Sequence, residues 1–234
     1  LKIIREILIS IIRMTVQLLF VGIYLKYIFE LNTIWVNGLW VVVMIVVANI
    51  SVLNKAGLKL KPFFWASLLG ISVGTVFMAG VFLFILVKPE PLYDAHYLIP
   101  LTGMLLGNCL RSNVLVFERF YSGIQKNETE FLSYLMMGAT LKEAVRPYLR
   151  DAVNAALAPN IATMTTIGIV SLPGMMTGQI LGGSIPLVAI KYQIAIMLGI
   201  FISLIVSSVM NIYLSLPAAF NEYDLLREDI FKNR

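Results

Sequence analysis

Residues 192–216 read YQIAIMLGIFISLIVSSVMNIYLSL, without an Asp, Glu, Lys, Arg or His. A bilayer's hydrocarbon core takes about 20 predominantly apolar residues when crossed as a helix. This run is long enough to span. It lacks the apolar–polar alternation of a membrane β-strand. In lipid the backbone must satisfy its own hydrogen bonds, so a helix is the expected form. Five further runs of this kind lie upstream, at about 7–29, 33–53, 63–87, 97–116 and 152–172. The expected fold is therefore all-α, a polytopic integral membrane protein with six transmembrane helices in this chain.

Composition points the same way. Of 234 residues, 59% are apolar and 13% charged, against roughly 25% charged in a soluble domain. Mean hydropathy is +0.86. A single core of this size cannot hide that much apolar surface, and disorder is excluded by the same figures. The sequence begins with Leu rather than Met, so a further segment upstream is expected. The single cysteine, Cys109, allows no internal disulfide.

Basic residues set the orientation. With the start of the first span inside, fifteen of the 18 Lys and Arg fall on the inner side. Lys26, Lys88 and Lys191 fall on the outer side. Both ends of this chain are expected inside. The longest inner segment, 111–151, mixes charge with Phe117, Phe120, Tyr121 and Ile124 at helical spacing, the pattern of an amphipathic helix. Gly138-Ala139 breaks it. Thr140 followed by Glu143 is a capping-box pair, so a new helix is expected there, with Pro147 in or near it. On the other side, residues 152–190 hold no charge but contain Pro173, Gly174, Gly178, Gly182, Gly183 and Pro186. Such a stretch is expected to fold against the membrane domain near the outer face, as a re-entrant element.

Motifs for chemistry are missing. There is no GxxxxGK[ST], HExxH or GxSxG, and the chain is not expected to be an enzyme. One histidine, His96, and one cysteine cannot build a zinc site. All 13 carboxylates lie outside the spans or at their margins, which argues against a carboxylate proton relay. A transporter of this kind needs an energising partner on another chain.

Polar residues within the spans have two readings each. Glu6, Arg13, Gln17 and Tyr24 fall within about 20° of one helical line, with Ser10 near it. Arg13 and Gln17 either line a pathway or contact a partner, or else Arg13 snorkels to the interface and Gln17 bonds a neighbouring helix. Gly70 and Gly74, and again Gly103 and Gly107, are spaced for close helix approach. Gly199, Ser203, Ser207 and Asn211 form a small-residue ridge, and Met104, Asn108, Arg111 and Ser112 share one face. Met175 and Met176 are soft-metal candidates, or ordinary packing residues.

Residues 168–183, GIVSLPGMMTGQILGG, followed by Pro186 and AIKYQ at 189–193, resemble the signature of the FetB-type permeases. So does IPLTGMLLGN at 99–108, with Gly138-Ala139-Thr140, Arg150 and Pro159 at matching places. The resemblance covers essentially the whole chain. It implies a single transmembrane permease domain, residues 1–234, in the inner membrane of a bacterial cell. Such proteins are membrane subunits of ATP-binding-cassette (ABC) transporters associated with iron export, and plant relatives are linked to aluminium tolerance. The partner would be a separate cytoplasmic ATPase carrying ATP and magnesium, with no cofactor on this chain and no nucleic acid bound. A homodimer of the permease around one pathway is expected. The segment at about 117–151 would couple to the ATPase, through Gly138, Ala139, Thr140, Glu143, Arg146 and Arg150. Pathway or gate residues would be Arg13, Gln17, Asn108, Pro173, Gly174, Met175, Met176, Gly178 and Gln179. No metal ligand set is identified. Hard ions prefer oxygen, yet the spans supply no carboxylate, so carbonyls, amides, water or a chelate would have to serve. The family usually has one more hydrophobic segment upstream, and Cys109–Asn113 and Asn160 follow its pattern less closely. An ATP-independent channel or secondary carrier, and a membrane scaffold or signalling subunit, are the alternatives.

Overall fold

Where water cannot reach the backbone, a helix satisfies each N–H and C=O within its own segment, and the long apolar runs comply. The computed structural model describes residues 2–232. Arg234, counted above with the basic side, lies outside them. The elements are α1 (Lys2–Leu31), α2 (Ile34–Lys55), α3 (Leu60–Val81), α4 (Ala95–Lys126), α5 (Glu128–Met136), α6 (Leu141–Ala144), α7 (Arg146–Thr166), α8 (Gly174–Leu181) and α9 (Pro186–Ala219). A π-helical turn, Phe82–Val87, extends α3. Among the described residues, β-pairing is limited to isolated bridges.

Among the described residues, four helices are long and apolar enough to cross a membrane: Ile4–Leu31, Ile34–Lys55, Leu60–Val87 and Pro186–Ala219. The other two expected spans do not reach that standard. Asn108, Arg111 and Asn113 interrupt α4. In α7 the chain opens on Arg146, Arg150 and Asp151 and closes on Thr163, Thr165 and Thr166. The helix ends at Thr166, so residues 167–172 turn back instead of completing the expected run.

Helix α9 is the central post, packed against α3, α4, α7 and α8. Its contact with α3 is tight because glycine makes it so. A Cβ on Gly70 would collide with Asn211, and one on Gly74 would sit 2.8 Å from the Ser203 carbonyl oxygen. A Cβ on Gly199 would lie 2.5 Å from the Phe82 ring. The second glycine pair behaves differently. Gly103 meets only the Met44 methyl, at 3.2 Å, and Gly107 has nothing within 4 Å, so no helix approaches closely there.

Between α4 and α9 runs a fully buried polar seam. Asn113 donates to the Ser207 hydroxyl at 3.0 Å and accepts from Asn211 at 2.6 Å. The Cys109 thiol pairs with the Ser203 hydroxyl at 3.1 Å, and Tyr121 with Ser215 at 2.6 Å. The ridge expected at Ser203, Ser207 and Asn211 is thus a hydrogen-bonded packing seam.

The basic end holds an aromatic core. Phe117, Phe120, Tyr121 and Ile124, the predicted amphipathic face, are all buried on a continuous α4. Phe63 packs against Tyr121 with ring centroids 5.6 Å apart, and Phe131 of α5 lies 5.8 Å from Phe220 at the foot of α9. The tail closes this end: Lys59 N–H donates to the Ile230 carbonyl and Lys232 N–H to that of Gly57. At the opposite end, Asn32 accepts from Asn37 and from the Ala95 N–H, tying α1, α2 and α4 together. Helix α1 joins the bundle only near that end, through Tyr24, Leu25, Ile28 and Phe29. Residues 4–20 of α1 are exposed.

The glycine contacts lead to a direct comparison. Gly70→Ala should destabilise the protein by about 1–3 kcal/mol, the usual cost of overpacking. Gly107→Ala should be neutral or slightly stabilising, since alanine is the better helix former. Thermal unfolding of the two variants in detergent checks this, and equal midpoints would contradict the tight α3–α9 contact.

Candidate functional site

Helix α8 is too short to span anything: eight residues reach about 12 Å at 1.5 Å per residue. Pro173 starts it, with the Thr177 hydroxyl donating back to the Pro173 carbonyl at 3.0 Å. Gly183, at φ +92°, ends the turn that follows, a conformation open to glycine at little cost. The uncharged stretch after α7 therefore folds as a turn and a short helix laid against α9.

Laying α8 there closes one side of two adjoining cavities. The larger, about 720 Å³, opens toward the α9 start and is lined by Phe82, Leu86, Tyr97, Gln179, Lys191 and Tyr192 among others. The smaller, about 390 Å³, lies deeper between α4, α7, α8 and α9. Its polar lining comes from Asn108, Arg111, Ser112, Asn160, Thr163 and Gln193. Met104, Met175 and Ile196 border both lobes. Asn108 donates to the Met104 carbonyl at 2.9 Å. The carboxamide oxygens of Gln179 and Gln193 are shielded and have no partner among the described residues.

The structure brings together part of the expected pathway set. Asn108, Pro173, Gly174 and Met175 line the deeper lobe, while Met175 and Gln179 line the larger one. Met176 and Gly178 lie on α8 but line neither lobe. Arg13 and Gln17 sit on the exposed half of α1 and also line neither. Asn160, Thr163, Lys191 and Gln193 were missed as site residues by sequence reasoning. Gln193 is an isolated amide in an apolar run, and Asn160 and Thr163 are spaced i, i+3 on α7, so both signals were present. Among the described residues, no group of three His, Cys, Asp or Glu stands ready to hold a metal.

A second site lies at the basic end. The capping box is present at the start of α6. One Glu143 carboxylate oxygen accepts from the Thr140 N–H at 2.8 Å and from the Thr140 hydroxyl at 2.7 Å. Gly138, at φ +88°, makes the preceding reversal. Pro147 stands in the first turn of α7, where its missing N–H costs nothing. Ala144, Val145, Tyr148 and Leu149 turn inward, while Lys142, Glu143, Arg146 and Arg150 face out. Met136 and Met137 beside the turn are 80% and 75% exposed, an apolar tip that the sequence reading passed over.

Hydrogen bonds from the Thr140 hydroxyl and backbone hold the Glu143 carboxyl below its ordinary value. A group with a depressed folded pKa stabilises fully above its unfolded value and loses that contribution as pH falls through the folded one. Protection of the Thr140 amide from hydrogen exchange should therefore hold at neutral pH and decline once pH falls below 4.5, the unperturbed value. Glu143→Ala should lose it at every pH. Protection independent of both would contradict the cap.

Comparison with known proteins agrees with this architecture. The family described as "Uncharacterised protein family (UPF0014)" matches residues 1–220. The chain is 38% identical over 197 residues to the UPF0014 membrane protein slr1647 of Synechocystis, covering 84% of this chain and 76% of that protein. It is 31% identical over 218 residues to the "Probable iron export permease protein FetB" of Escherichia coli, covering 93% and 82%. It is 30% identical over 232 residues to "Protein ALUMINUM SENSITIVE 3" of Arabidopsis thaliana, covering 97% and 82%. No solved structure matches the chain at a significant level. Four membrane-length helices and a family match over nearly its whole length make the chain a multi-pass membrane protein of the UPF0014 family.

Proposed function

We propose that the chain is the permease subunit of an ATP-driven ABC exporter for iron or another metal, energised by a separate ATPase chain. The observation that carries this reading is the joint placement of the two sites. The helices that line the cavity, α4, α7 and α9, continue into the aromatic core on which α5 and α6 rest. Phe131 of α5 contacts both Tyr148 of α7 and Phe220 after α9. A push on the capped α6 turn therefore has a packed route to the cavity walls. Alternating access needs such a two-state element, biased by a partner.

The parts take these roles. Nucleotide and magnesium belong to the partner ATPase, which docks at Gly138, Ala139, Thr140, Glu143, Arg146 and Arg150, with the exposed Met136-Met137 tip as an apolar contact. Both ends of the chain face the cytoplasm of a bacterial cell, as the basic residues indicate. The α8 segment, residues 173–183, gates the outer lobe. The bare half of α1, with Arg13 and Gln17 on its polar stripe, is covered by a second copy, because such groups in lipid seek a protein partner. Iron as cargo is supported by the name of the Escherichia coli relative.

Three measurements check the reading. The tagged protein, drawn gently from its native membrane, should bring down a stoichiometric ATPase; recovery alone in an intact preparation would favour an ATP-independent channel or carrier. Gly138→Val, strained at positive φ, should leave the fold intact and reduce transport per ATP hydrolysed. Crosslinks from cysteines placed along 173–183 should change with nucleotide, and an invariant pattern would remove the gate.

A further inference from the structure

Both lobes share an electrostatic character that a bare cation does not want. Among the described residues, neither is lined by an Asp or Glu. The charged groups on their walls are Lys191 in the outer lobe and Arg111 in the deeper one, while His96 of the outer lobe is paired with the Asp94 carboxylate at 2.9 Å. Arg111 forms no ion pair among the described residues. It is exposed on the cavity wall, about 24 Å along α4 from the helix start. A guanidinium placed there is open to an incoming ligand. The rest of the deeper lobe offers amides and hydroxyls: Asn108, Ser112, Asn160, Thr163 and Gln193. Gln193 is only 8% exposed and its carboxamide oxygen lacks a partner. A buried amide without a partner is uncommon, and here it stands on a cavity wall.

We propose that the deeper lobe binds an anionic, oxygen-rich solute, with carboxylate or phosphate oxygens on Arg111 and neutral groups of the solute on the amides. This deepens the permease reading and rests on it: a metal that travels this way travels as an anionic chelate, bringing its own oxygen ligands. The guanidinium fork suits paired carboxylate or phosphate oxygens. Lys191 on the outer wall raises the local concentration of anions. Met104, Met175 and Met197 supply the apolar side.

The test is equilibrium binding to the full chain in lipid nanodiscs. The probes are citrate, ferric citrate, inorganic phosphate, ferrous ion under anaerobic conditions, and silver ion as a thioether probe. Binding of citrate, ferric citrate or phosphate is expected. Arg111→Gln should weaken it roughly tenfold or more, as loss of a charge-assisted pair does, while Arg111→Lys retains part of it. Gln193→Leu should weaken it less, and the unfolding midpoint of each variant reports that the fold survives. Citrate binding without phosphate binding identifies a carboxylate chelate, and the reverse identifies a phosphate ester; both support the site. Binding of ferrous or silver ion with no anion binding, or anion binding indifferent to Arg111, overturns it. The ATPase pull-down is read separately: anion binding without a partner ATPase sinks only the ATP-driven reading, and a partner ATPase with cation binding alone sinks only this chemistry.

Discussion

Asn211 donates to Asn113 at 2.6 Å with both side chains fully buried in the bundle, and the arrangement of the other helices depends on that meeting. A buried carboxamide left unpaired costs far more than a paired one contributes, so α4 and α9 are held in one register. Ser203 and Ser207 extend the seam toward one end and Ser215 with Tyr121 toward the other. On the opposite side of Asn211, Gly70 must remain without a side chain for α3 to fit. One asparagine therefore fixes the neighbours of α9 on two sides. In lipid, where apolar surface gives little drive for one helix to prefer another, packing and polar contacts must set the partners.

With α4 and α9 locked, the remaining freedom lies at the cavity. Helix α8 has no fully buried residue, and the segments flanking it expose Ile169, Val170, Leu181 and Ile185. It is attached lightly and lies beside the cavity of about 720 Å³. The basic end is the reverse: Phe117, Phe120, Tyr121 and Phe131 are almost wholly buried. A stiff base below a lightly held flap suits a machine driven from the base. Among the described residues no acid lines the cavity walls, which suits the negative or neutral cargo proposed above.

Much of this could be read along the chain. The capping box at Thr140 and Glu143, the aromatic face from Phe117 to Ile124, and the close approach at Gly70 and Gly74 each depend on spacing within one helix turn, which periodicity reveals. Four of the cavity-lining residues, Pro173, Gly174, Met175 and Gln179, were legible too, because they belong to one conspicuous uncharged segment. The rest were not. Asn160 and Gln193 each carry a local signal, but nothing along the chain joins them until α7 and α9 face each other. Gly103 and Gly107 carry the same spacing as Gly70 and Gly74, yet no helix comes near Gly107, because spacing tells which residues share a face and not what the face meets. Arg13 and Gln17 share a stripe for the same reason, and the described chain leaves that stripe bare.

The division has a physical basis. Hydropathy and local hydrogen bonding act within about twenty residues, so the sequence by itself determined the membrane class, the helical state, the start of α6 and the unusual character of residues 152–190. How far α4 and α7 qualify as spans, which helices pack together, and which polar groups share a cavity depend on contacts between residues about a hundred positions apart, such as Asn113 with Asn211. Those contacts are selected by complementary shape and by the need to satisfy buried polar groups together, and only the tertiary structure decided them.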